Sequence, residues 1–112
     1  MIKFCAVASF LVAFFAGLVS TPIIAANLAA GKARAEATCQ TCHGMDGLGT
    51  IAGVPNLSGQ REDYMIKQLM AFRSSQRQHP QMSIIAQMLS DEDIENVSKW
   101  YSSIKISVEL PE

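Results

Sequence analysis

Residues 39–43 read Cys-Gln-Thr-Cys-His, and apart from Cys5 they hold every cysteine of the chain. Two thiols and an imidazole within five residues can serve three chemistries: a redox dithiol, part of a zinc site, or covalent attachment of haem. A zinc site needs four ligands. Cys39, Cys42 and His43 offer three at most, with neighbours too close for a relaxed tetrahedron, and His79 would have to be the fourth. A thioredoxin-type dithiol follows a strand in an alternating α/β pattern, and this sequence has no strand pattern. C-x-x-C-H matches haem attachment directly. Both thiols add across porphyrin vinyl groups, and the adjacent imidazole reaches the iron from one face.

The opening residues bear on that choice through compartment. Lys3 is followed by an uncharged run from Phe4 to Ala26, rich in Ala, Val, Leu and Phe, closing on Pro22 and the small residues Ala25 and Ala26. That order is the order of a secretory signal. Residues 1–26 are therefore expected to be a signal peptide and 27–112 the working domain, exported to the periplasm. Cys5 leaves with the signal, which puts Cys39 and Cys42 in an oxidising compartment. The uncharged run of 23 residues would span a bilayer if it were kept as an anchor. Only in that form does a membrane enter the reading.

Residues 27–112 suffice for one small domain, of a size that buries a marginal core and often needs a staple, metal or cofactor. Over that span eight Lys and Arg stand against ten Asp and Glu, a net charge of −2. Nothing in that balance points to nucleic acid or to an anionic membrane surface, and neither is expected as a partner.

The elements that must position the site read as helices. The first runs roughly from Leu28 to Cys39, with Gly31 and Ala35 on one face. The stretch GMDGLGTIAGVPNLSG, with five glycines and Pro55, is irregular. A helix over about Gln60 to Ser74 carries Met65, Leu69 and Phe72 at helical spacing, SSQRQHPQ breaks it, and a short apolar turn covers Ile84 to Leu89. Ser90 with Asp93 forms a capping box for the last helix. Its stripe is Ile94, Val97, Tyr101 and Ile104. The fold class is all α.

An iron held by one His has a further axial position, filled by Met in most electron carriers and open where oxygen chemistry is done. Met45 lies too near His43 to reach the opposite face. Met65 and Met70 fall on the middle helix, and Met88 suits the apolar turn. Met82, in a non-helical stretch just after Pro80, is the best placed, with Met88 the runner-up.

With those residues in hand, the sequence resembles the class I c-type cytochromes, and among them the small bacterial periplasmic monohaem group. The matching stretches are GKARAEATCQTCHGMDG, GVPNLSGQ, RQHPQM and LSDEDIENVSKWY. The resemblance implies a small cytochrome c fold whose helices pack round one covalently attached haem c. It implies thioether bonds at Cys39 and Cys42, His43 and Met82 as the iron ligands, and the Pro55 carbonyl as acceptor of the imidazole proton. Gly31 and Ala35 match the positions where the first helix crosses the last, and Trp100 and Tyr101 fall where the last helix carries its aromatics.

Nothing in the chain pairs a nucleophile with a base or sets two carboxylates in a pocket, so an enzyme is not expected. His79 reads as a solvated loop residue. The function expected is a periplasmic single-haem carrier passing one electron between a redox protein donor and acceptor. A haem-bearing subunit of a larger dehydrogenase or oxidase complex, or a ligand-sensing haem protein, is the alternative. Arg73 and Arg77, just before Met82, add local positive charge but no basic ring, so docking is expected through a mainly apolar patch with modest electrostatic steering.

Overall fold

A computed structural model describes residues 25–112. The expected signal peptide, residues 1–26, thus lies almost wholly outside the described residues. Among the described residues every regular element is helical, and no helix is long and apolar enough to cross a membrane.

The first helix begins where Asn27 caps it: the side-chain oxygen accepts from the backbone N–H groups of Ala29 and Ala30. α1 is Leu28–Arg34, but the chain does not stop there. Ala35–Cys39 continue as a π-helical turn, and α2, Gln40–His43, follows without a break. The expected helix to Cys39 is therefore too short, because no breaker intervenes before Gly44. Gly44 adopts φ +72°, a left-handed conformation that glycine takes without strain, and its N–H closes on the Gln40 carbonyl.

Loop residues 44–61 are tied across their own base. The Gly47 carbonyl accepts from Leu57 N–H at 2.6 Å, and Gly59 N–H donates to the Tyr101 carbonyl at 2.9 Å. α3, Glu62–Arg73, starts slightly later than its periodicity suggests and buries Met65 and Phe72. α4 is Met82–Gln87. Here the structure corrects the sequence, since Met82 is the first residue of a helix and not part of an irregular stretch. The reason is His79: its Nδ1 accepts from the N–H groups of Gln81 and Met82, and its own N–H donates to Ser83 Oγ. An imidazole thereby does the capping work usually given to Ser, Thr, Asp or Asn.

α5, Asp91–Ser102, opens on the capping box as expected, with Asp93 N–H to Ser90 Oγ and Ser90 N–H to Asp93 Oδ2 both at 3.0 Å. Its stripe of Ile94, Val97 and Tyr101 is buried. α1 and α5 cross in backbone contact. A Cβ at Gly31 would overlap the Asn96 carbonyl and stand 3.1 Å from Trp100 Cβ. The Arg34–Asp93 ion pair at 2.8 Å and the bond from Asn27 N–H to Asn96 Oδ1 at 2.6 Å fix the crossing at both ends. α3 packs on both α4 and α5, and the buried core is small: Ala35, Met65, Phe72, Ala86, Leu89, Ile94, Val97 and Tyr101.

Gly31→Ala should therefore destabilise despite alanine's better helix propensity, since the added methyl meets backbone. A loss of about 2 kcal/mol or more is expected, read as a fall in melting temperature of roughly 10 °C or more. Gly53→Ala, at φ +85° with no atom within 4 Å of the new methyl, should cost only about 1 kcal/mol.

Candidate functional site

The CQTCH segment spans the end of the π turn and all of α2. In the π turn the Gln40 N–H bonds five residues back to the Ala35 carbonyl, and Gln40 Nε2 donates to the Glu36 carbonyl at 2.6 Å. A wider turn shifts the azimuth of everything after it and is common at functional sites. Cys39 and Cys42 are both half-buried and unpaired, one turn apart on a helix and so on neighbouring positions of one face. Burial pushes the Cys39 thiol up to about 11, against a smaller opposing effect of the Arg34 charge.

His43 is 8% exposed. Its Nδ1 lies 3.0 Å from the Pro55 carbonyl oxygen. A carbonyl can only accept, so Nδ1 carries the proton and Nε2 keeps a lone pair that could serve a metal. Pro55 has no N–H and a fixed φ, which makes it a stiff acceptor at that point of the loop.

The turn after His43 is held from two sides. Tyr101 Oη donates to the Gly44 carbonyl at 2.9 Å, and Trp100 Nε1 to the Met45 carbonyl at 3.3 Å, both from α5. From the loop, Thr50 donates its N–H to the Cys42 carbonyl at 2.9 Å, and its Oγ1 lies 3.0 Å from the carbonyls of both Thr41 and Cys42. Gly49 N–H reaches Asn56 Oδ1 at 2.8 Å, bracing the residue that follows Pro55. Thr50, Asn56 and the hydrogen-bonding ends of Trp100 and Tyr101 escaped the sequence reading. The aromatics were visible as packing, but nothing in a sequence says which carbonyl a phenol will reach.

Met82 is half-buried at the start of α4, whereas Met88 at its end is 67% exposed. Arg73 and Arg77 are both engaged by neighbours. Arg73 is paired with Asp91 and donates to the Leu89 carbonyl at 3.1 Å. The Arg77 guanidinium sits 4.5 Å above the Phe72 ring and donates to Gln68 Oε1 at 2.6 Å. The donor set is chemically suited to a haem: two unpaired thiols, one buried imidazole with a single free nitrogen, and a half-buried thioether.

The comparisons agree. Residues 28–105 match the family model described as Cytochrome c. Cytochrome c4 of Pseudomonas aeruginosa is 36% identical over 92 residues, covering 82% of this chain and 45% of that protein. Cytochrome c-554(548) of Halomonas halodenitrificans is 42% identical over 82 residues, covering 70% of this chain and 98% of that protein. A thiosulfate dehydrogenase electron acceptor of Stutzerimonas stutzeri is 45% identical over 69 residues, covering 61% of this chain and 32% of that protein. The crystal structure of reduced recombinant cytochrome c4 from Pseudomonas stutzeri superimposes with a TM-score of 0.67 at 32% identity, covering 75% of this chain and 48% of that one. The chain thus spans about half the length of the cytochrome c4 proteins it matches, and nearly all of the c-554(548).

Tyr101 offers a test of the clamp. Burial, with Cys39 and Asp46 adding to it, holds its phenol above the usual tyrosine range. An unfolded phenol titrates near 10, so above that pH the unfolded state loses its proton first and stability falls. Tyr101→Phe should lower the melting temperature at pH 7 by roughly 4–8 °C, the size of one lost hydrogen bond. The gap from the parent should narrow as the pH climbs past about 10, since the variant has no phenol there to titrate.

Proposed function

Since this chain belongs to the cytochrome c family and carries one covalently bound haem c, we propose that it is a single-haem electron carrier acting between a redox protein donor and acceptor. When bound, the haem supplies a one-electron couple; the chain supplies attachment, ligation and docking. Cys39 and Cys42 would hold the haem through thioethers, His43 Nε2 and the Met82 thioether would be its iron ligands, and the Pro55 carbonyl orients the imidazole. The observation that carries this reading is the contact between His43 Nδ1 and Pro55 O at 3.0 Å. It fixes the tautomer and aim of a buried imidazole next to two unpaired thiols, and raises its strength as a ligand.

Export to the periplasm follows from the leader, taken as residues 1–26, with 27–112 as the mature domain. Docking goes through apolar surface. Leu48 and Ile51 are exposed on the loop that carries Pro55, Ile84 on the helix that carries Met82, and Met88 just past the end of that helix. Arg73 and Arg77 are engaged within the fold, so charge steering by them is modest. A second reading, a haem-bearing module working beside one dehydrogenase, draws on the relative named as a thiosulfate dehydrogenase electron acceptor, of which this chain covers only 32%.

Met82→Ala should abolish the weak near-infrared sulfur-to-iron absorption of the oxidised protein, while Met88→Ala leaves it. The opposite result would move the distal ligand to Met88. Folding should also depend on the cofactor. Ordering costs about 1–2 kcal/mol of backbone entropy per residue, and the buried core of the described residues is short. Chain made without haem attachment should be largely unfolded by circular dichroism; a cooperative thermal transition in that form would show that the protein core suffices.

A further inference from the structure

The segment after α5 has a pattern that the fold leaves unused. Ile104 to Leu110 read IKISVEL, a strict alternation of apolar and polar residues rich in β-branched side chains. That is the signature of a half-buried strand, yet residues 105–112 form neither helix nor strand, and no strand exists among the described residues for them to join. Ile104 packs at the edge of the core and Ile106 touches Gly59. Beyond them exposure climbs, to 75% at Val108 and 84% at Leu110, the highest among the exposed large apolar residues.

The segment is complementary to itself. Set antiparallel to a copy of itself about Ser107, Lys105 falls opposite Glu109, Ile106 opposite Val108 and Ile104 opposite Leu110. Residues directly opposite in an antiparallel pair share a face. All apolar side chains of both copies then line one side, and two Lys–Glu pairs with the central serines line the other. A shift by one residue would put charge against aliphatic side chains, and a shift by two would keep the apolar face but part Lys105 from Glu109, so the charge pairs select this register. Pro111 stops the ladder, since it has no N–H to give. A free two-stranded ribbon is marginal in water, but this one is rooted at both ends in a folded domain through Ile104 and Ile106. We infer that residues 104–110 are a self-pairing strand, joining two copies of this chain in a two-fold antiparallel ribbon.

Charge reversal tests the register. The haem-loaded full chain should dimerise in sedimentation equilibrium. Lys105→Glu alone sets two Glu–Glu pairs across the ribbon, and Glu109→Lys alone sets two Lys–Lys pairs. Each should raise the dimer dissociation constant roughly tenfold. The double reversal should restore it, and so should an equal mixture of the two single variants, now as a heterodimer. Visible spectra should be unchanged in all of them, which separates this result from damage to the haem site. A parent chain that stays monomeric at every concentration would overturn the inference, including the case where the segment pairs only with another protein's sheet edge. A dimer indifferent to these reversals would overturn it as well, by placing the interface elsewhere.

Discussion

The approach of α1 to α5 at Gly31 is the constraint on which the remaining geometry rests. With no side chain at that position, backbone meets backbone at Asn96, and Trp100 slides over the same spot. Once α5 is seated at that depth, Trp100 and Tyr101 reach the carbonyls of Met45 and Gly44, the two residues immediately after the CQTCH segment. The same α5 backbone holds the far end of that loop through the bond from Gly59 N–H to the Tyr101 carbonyl. One crossing therefore sets both the helix that bears His43 and the loop that bears Pro55. A bulkier residue at 31 would act on the imidazole without touching it.

The residues proposed to hold the haem sit on two different supports. The thiols and imidazole sit on the continuous α1–π–α2 helix, braced by α5 and by Thr50. Met82 sits on α4, which packs on α3, and α3 in turn packs on α5. A haem held by both would join elements that the protein alone links indirectly, and a small core would then depend on its cofactor. It also explains why the short α4 needs a firm start. His79 caps it, and Arg73 ties its end to α5 through the Leu89 carbonyl and Asp91.

Much of this could be read from residues alone because the signals were local. CQTCH carries its chemistry in its spacing, the Ser90–Asp93 box announces α5, and the Ile94–Val97–Tyr101 stripe names its buried face. What could not be read was decided by distant partners or by unusual ones. The start of α4 at Met82 was missed because histidine is not among the common caps. That Asp91 holds Arg73, and Gln68 and the Phe72 ring hold Arg77, could not be read because these partners meet only after folding. The π turn at Ala35–Cys39 leaves no trace in composition, and the part played by Thr50 depends on a loop closing over α2.

Whether Cys39 and Cys42 are consumed in holding one haem can be read from peptide mass. Trypsin should release residues 35–61 as one peptide containing both cysteines, bounded by Arg34 and Arg61. From protein exported with its own leader in a host that attaches haem, that peptide should carry the mass of one haem and take up no alkylating reagent after reduction. The same peptide without haem, accepting two alkyl groups after reduction, would show a dithiol and contradict the account.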